Sequence, residues 1–250
     1  MNCFLIVLIG LVVGSFLNIC IFRIPKEKPN LFSKSHCVLC GHKLKILDVI
    51  PVLSYIVLKG KCRYCKDRIS IEYPIIEILN TIFYVLIYYM FGINIISIKY
   101  MFLVSILIVI AMIDLKTKYI YDSTFYLALA IGSIFLAISF FQNKDQCLEL
   151  FLGAVAGFLI IGSIVIVTHG MGEGDIEVAS ICGLFLGIRG LMLTLFLAVL
   201  IGSFEGIMVT FFKHKDLKYR IAFGPSIAAG TILTIFCGKT LFDSYMNLFI

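Results

Sequence analysis

Runs of apolar residues, broken by a few polar or glycine-rich positions, recur along the whole 250-residue chain. Eight of them are candidate membrane spans: 3–22, 74–91, 100–114, 123–141, 148–168, 176–187, 191–212 and 221–242. An α-helix of ~20 apolar residues crosses the hydrocarbon core of a bilayer, so the longer runs suffice as they stand. The sixth is short and rich in glycine, which fits either a broken helix or a merger with the seventh. The pattern predicts an all-α polytopic membrane protein in three parts. Residues 1–22 are a first transmembrane helix, 23–73 a polar insert, and 74–250 a membrane domain.

Composition agrees. The chain is 61% hydrophobic and 14% charged, with a mean hydropathy of +1.06, whereas soluble domains are about 25% charged. The first run lacks a basic residue ahead of it and has Arg23 behind it. A cleaved signal peptide has the reverse order, so the run reads as a retained helix with its N-terminus outside. Loops 23–73, 115–122, 169–175 and 213–220 then face the cytoplasm and carry 17 of the 21 Lys and Arg. Basic loops stay cytoplasmic, so charge and span map agree, and both termini are expected outside. The net charge of +6 therefore reflects topology and anionic lipid, and gives no reason to expect nucleic acid.

Five of the nine cysteines, Cys3, Cys20, Cys147, Cys182 and Cys237, lie in or beside apolar runs, where cysteine behaves as a small hydrophobe. The other four form two CxxC pairs in the insert, Cys37 with Cys40 and Cys62 with Cys65. Such paired knuckles place four thiolates around one structural Zn²⁺. Gly41 and Gly60 supply tight turns beside them, and the metal would add folding free energy that so small a core lacks. A redox CxxC is the rival, without the βαβ pattern that usually accompanies it. His36 and His42 flank the first knuckle as surface residues, since four cysteines already complete a tetrahedron.

Acidic residues at the edge of a span are costly and usually functional. Asp114 closes the third span, and Asp175 follows the alternating glycines Gly170, Gly172 and Gly174. The topology puts both at cytoplasmic helix ends. Two carboxylates at hydrogen-bond range share a proton, so one can activate a water while the other polarises a scissile carbonyl. The glycines allow an extended peptide to come close. Singly, each aspartate has another reading: Asp114 paired with Lys116 or Lys118, and Asp175 as a helix N-cap. Asp122 reads as an N-cap. Glu77 is placed to pair with basic residues of the insert. Glu173 and Glu177 add negative charge beside Asp175, where they could draw in a basic peptide.

The whole chain resembles the type IV prepilin peptidases. GSFLNICIFRIP (14–25) resembles that family's N-terminal signature, His36 to Glu77 its cysteine-rich cytoplasmic loop, and FGPSIAAG (223–230) its C-terminal segment. The aspartate segments resemble its catalytic motifs, the second of the GxGD type found in presenilin-like intramembrane proteases. The resemblance implies that Asp114 and Asp175 are the catalytic pair and that Cys37, Cys40, Cys62 and Cys65 bind zinc. It implies cleavage of the basic leaders of prepilins or pseudopilins at the cytoplasmic face of a bacterial inner membrane. In many members the new N-terminus is then methylated from S-adenosylmethionine, an activity tied to the cysteine loop, where Gly60 holds the glycine of an LxGxC motif. Tyr121, Glu177 and Ser226 depart from the family pattern. The rival readings are an ion- or proton-coupled transporter, which leaves the cysteines unexplained, a thiol oxidoreductase, which leaves the aspartates idle, and an assembly factor without chemistry, which has no need of both aspartates.

Overall fold

A computed structural model describes residues 2–26, 36–37, 39–168, 171–213 and 222–249. It is helical, and its only β-structure among these residues is two isolated bridges in the insert. The helices are α1 (Asn2–Arg23), α2 (Leu53–Val57), α3 (Glu72–Phe91), α4 (Ile95–Thr117), α5 (Asp122–Gln142), α6 (Lys144–Thr168), α7 (Glu173–Lys213) and α8 (Gly224–Phe249). They form two compact units, Met1–Ser97 and Ile98–Ile250.

In the first unit α1 lies against α3. Helices in lipid gain little from hydrophobic burial, so small residues and polar bonds hold them together. Gly10 and Gly14 supply the small residues. A Cβ on Gly10 would fall 2.8 Å from the Thr81 Cα, and one on Gly14 2.7 Å from the Glu77 Cα. The Asn80 amide donates to the Gly10 carbonyl at 2.9 Å, and the Asn18 amide to the Tyr73 carbonyl at 3.0 Å.

In the second unit α4 is the most enclosed helix, with 56% of its apolar stretch buried. Leu103, Val104 and Leu107 on it are completely covered. The α6–α7 seam is backbone against backbone: Gly153 meets Gly183, and a Cβ on Gly157 would stand 2.5 Å from the Ala179 carbonyl oxygen. Thr194 Oγ1 donates to Thr234 Oγ1 at 3.1 Å across α7 and α8.

The structure redraws the expected eight spans. Among the described residues six helices are long and apolar enough to cross a membrane, within α1, α3, α4, α5, α6 and α7, and α8 occupies the last apolar run. The sixth and seventh runs share the 41-residue α7, which is interrupted at Gly187 (φ 76°, ψ 178°). A straight helix of that length would reach about 60 Å, twice a hydrocarbon core. One non-helical glycine thus replaces the loop expected at 188–190. Glu149 of α6 sits beside this break, 3.8 Å from Arg189 Nε.

Candidate active site and metal centre

Asp114 lies one turn from the end of α4. Lys118 in the left-handed region (φ 56°) stops the helix, and its N–H returns to the Asp114 carbonyl at 2.8 Å. The Asp114 side chain, 5% exposed, accepts the Gly224 N–H on Oδ2 at 3.1 Å. Gly224 opens α8 ahead of Pro225, so its N–H has no partner within the helix and is available to an acid. A Cβ on Gly224 would lie 2.6 Å from that carboxylate oxygen, so only glycine permits this contact without a shift. Nothing in the FGP segment itself marks Gly224 as the partner of Asp114, 110 positions away.

Asp175, also 5% exposed, stands in the first turn of α7. It is not an N-cap. Its Oδ2 reaches back to the Gly172 N–H at 3.1 Å, and its own N–H donates to the Gly172 carbonyl at 3.1 Å. This reciprocal arrangement resembles a capping box, with Gly172 in the cap position and Asp175 three residues on. Both carboxylates are therefore held by the amide of a glycine at a helix start, and their charges lie within electrostatic range of each other.

The neighbouring candidates divide. Glu173 is exposed at the start of α7, and Gly170 lies outside the described residues. Gly174 faces protein: a Cβ there would stand 2.6 Å from the Ile120 Cβ. Its role is to let α7 approach the α4–α5 loop. Glu177 has its electrostatic neighbour in Asp122, and its buried Oε2 has no hydrogen-bond partner among the described residues. Asp122 is the first helical residue of α5 and not its cap, because Tyr121 takes the extended N-cap conformation (φ −93°, ψ 131°).

In the first unit the four insert cysteines converge, with their sulfurs all within 4.8 Å of one another and Cys37 Sγ 4.0 Å from Cys65 Sγ. Zn–S bonds of ~2.3 Å in a tetrahedron put sulfurs about 3.8 Å apart, so these residues fit a zinc ion. The knuckles are alike. A bridge pairs His36 with Lys43 and another Lys61 with Arg68, and the residue after each second cysteine has positive φ, Gly41 at 70° and Lys66 at 64°. The Cys40 amide holds the Cys37 thiol down to about 7. The Asp67 amide pulls Cys65 the same way, but loss of solvent, then hydrogen bonds with the Asp67, Cys62 and Cys40 side chains, push it up to about 12. His42 stacks on Tyr64, ring centres 3.6 Å apart, rather than joining the cluster.

Asp48, which the sequence did not single out, ties the insert together. Its side chain is 2% exposed and accepts Arg63 Nε at 2.7 Å and the Lys45 N–H at 3.1 Å. Burial pushes its carboxyl up, but the Lys45 amide and Arg63 prevail and hold it below the usual carboxylate range. Gly60, with φ 67°, turns the chain so that its N–H meets the Tyr55 carbonyl and its carbonyl receives the Ile69 N–H.

A cavity of about 410 Å³ opens between the insert and α1 and α3, with Asn18, Phe22, Tyr55, Cys62, Tyr73 and Glu77 in its wall. Its size is in the ~300–1,000 Å³ range of small-molecule sites. Glu77, 7% exposed, has no ion pair among the described residues: its Oε2 accepts the Val52 N–H at 2.7 Å, and the neutral Ser15 and Asn18 lie beside it. Val52 has φ 60°, an outlying conformation for a β-branched residue that costs ~1–3 kcal/mol and tends to accompany function.

Residues 8–91 match the bacterial peptidase A24 N-terminal domain, and residues 101–207 match the type IV leader peptidase family. The prepilin leader peptidase/N-methyltransferase of Bacillus subtilis (strain 168) is 31% identical over 96% of this chain and 96% of its own length. The protein of the same name from Neisseria gonorrhoeae is 31% identical over 88% of this chain and 85% of its own, and that from Pseudomonas putida 27% over 96% and 92%. No solved structure matches.

Proposed function

The chain belongs to the type IV leader peptidase family, and on that premise we propose that it removes the basic leaders of prepilins or pseudopilins and then methylates the new N-terminus. The work is done at the cytoplasmic face of a bacterial inner membrane, with both termini outside and the cysteine insert inside. The basic loops support this orientation.

The observation that carries the peptidase reading is the pair of buried aspartates, each steadied by a glycine amide and each within range of the other's charge. The pair holds one proton between them. The ionised member takes a proton from a water as the water oxygen attacks the scissile carbonyl. The protonated member donates a hydrogen bond to the carbonyl oxygen, and the amine leaves with a proton from the dyad. With Oδ2 of each aspartate engaged by Gly224 or Gly172, Oδ1 is the oxygen that meets water and peptide. Exposed Glu173 stands where the leader's cations arrive, each contact being worth about 0.5–1 kcal/mol at a surface.

Zinc on Cys37, Cys40, Cys62 and Cys65 is structural, since four protein ligands leave no open position. The same single cluster argues against paired-thiol redox chemistry. The cavity beside it is the place for S-adenosylmethionine, which supplies a methyl group on a sulfonium. Asn18, Arg23, Asp48 and Glu77 are buried polar groups in its wall, Phe22, Tyr55 and Tyr73 the aromatic walls, and Gly60 the turn that sets Tyr55.

The test is co-expression with a type IV prepilin, followed by gel size and N-terminal mass of the product. The wild type should yield mature pilin, and Asp114→Asn and Asp175→Asn only uncut prepilin, while Asp122→Asn keeps cleavage within a few-fold. Cleavage by either dyad variant at the wild-type rate rules out the aspartyl mechanism.

A further inference from the structure

Peptide cleavage exposes an α-ammonium group, which has no lone pair to attack a methyl donor until it loses a proton. The protein must therefore offer a proton acceptor near the methyl-transfer cavity. From its placement, we propose that Glu77 is this acceptor: it binds the new N-terminal ammonium and takes its proton. The proposal rests on the methyltransferase reading of the cavity given above.

Four observations converge on Glu77. It lines the cavity wall and is 7% exposed, so an ammonium that met it there would be largely removed from water. Among the described residues its partners are the Val52 amide at 2.7 Å and the neutral side chains of Ser15 and Asn18, while Arg23, His36, Arg63 and Arg68 line the same cavity. A buried carboxylate is stabilised when a positive charge joins it directly. Its position is tightly fixed, because the missing Cβ of Gly14 lets α1 settle on the Glu77 Cα. Val52, the residue ahead of α2, presents its amide from an outlying conformation (φ 60°, ψ −49°), of a kind that clusters at functional sites.

The chemistry balances. The ammonium gives a proton to the Glu77 carboxylate and becomes a neutral amine. Its lone pair forms a bond to the donor methyl carbon as the carbon–sulfur bond breaks, and that electron pair stays on sulfur, giving a neutral thioether. The product is a secondary ammonium carrying the charge that left the sulfonium. The Glu77 proton passes to solvent.

The experiment uses the full chain with a prepilin and S-adenosylmethionine, reading cleavage and methylation separately by mass. Glu77→Gln keeps an oxygen for the Val52 amide but removes the charge. It should cleave like the wild type and retain its zinc, yet lose roughly 10-fold in methylation at pH 7, where only about a tenth of an amine with a pKa of ~8 is already neutral. Methylation should return as pH rises past the amine's own pKa of ~8. Binding of S-adenosylhomocysteine, followed by calorimetry, should persist, which a collapsed cavity would not allow. Ser15→Lys provides a second variant: its ammonium would occupy Glu77 and suppress methylation while cleavage continues. Wild-type methylation that Glu77→Gln leaves intact overturns the proposal alone, as does a loss of methylation that high pH fails to rescue. A wild type that cleaves but never methylates overturns the underlying reading and the proposal with it.

Discussion

Replacing Gly224 by alanine adds a single methyl group next to Asp114. The new Cβ would stand 2.6 Å from Asp114 Oδ2, whereas close C···O contacts settle near ~3.3 Å. Carboxylate and helix start must therefore separate by about 0.7 Å. That movement stretches the 3.1 Å bond from the Gly224 amide to a length at which hydrogen bonds fail. A hydrogen bond to a charged group contributes ~1.5–3 kcal/mol, and a misplacement of ~1 Å at reacting atoms can cost 10²-fold in rate. The variant should therefore show kcat lower by roughly 10- to 100-fold with KM little changed. Folding should survive, because alanine is a better helix former than glycine. The assay is leader cleavage by protein purified in detergent, across a range of prepilin concentrations, with Gly162→Ala as a control, since a Cβ there would meet nothing within 4 Å. Near wild-type kcat in Gly224→Ala would refute the claim that this amide positions Asp114.

Three other outcomes follow from the geometry. Gly174→Val should abolish cleavage by colliding with Ile120, and Gly174→Ala should be partly rescued by Ile120→Ala; failure of that rescue in the cleavage assay would point to a peptide-contact role for the glycine. Cys37→Ser or Cys65→Ser should release zinc, read by metal analysis of the purified protein, and lower its yield; full occupancy in either variant would refute the four-cysteine site. Asp48 has a folded pKa below its unfolded value of ~3.9, so its stabilising effect is present above that pH and fades as pH falls through the folded value; Asp48→Asn should flatten the acid limb of a proteolysis-susceptibility profile of the insert, and an unchanged limb would assign acid sensitivity to other groups.

Features encoded in short stretches of chain were legible from sequence. Cys37, Cys40, Cys62 and Cys65 are close in number within each knuckle, and ligand chemistry fixes what two knuckles do together. Asp114 and Asp175 stood out because carboxylates at apolar edges are rare. Features that depend on distant partners were not legible. Glu77 meets an amide whose approach depends on the Val52 backbone and on Gly14, 63 positions away, and no sequence pattern links these three. Gly174 looked like room for substrate, but Ile120 fills that space. The break at Gly187 was legible from the glycines and Arg189 around it, but whether it is a loop or a single non-helical residue depends on backbone geometry. Asp122 was misplaced by a single position, since cap geometry is set by the backbone of Tyr121.

The glycine seam between α6 and α7 also bears on the order of assembly. Side chains that interlock must each give up rotamer freedom, but glycines have none to lose. Once inserted, these two sequence neighbours can therefore dock at low entropic cost, before more distant helices arrive. The contacts at Ala179 and Gly183 lie ahead of Gly187, on the half of α7 that carries Asp175. The break separates that half from the rest of α7, so Asp175 shares a helical segment with the residues that dock on α6.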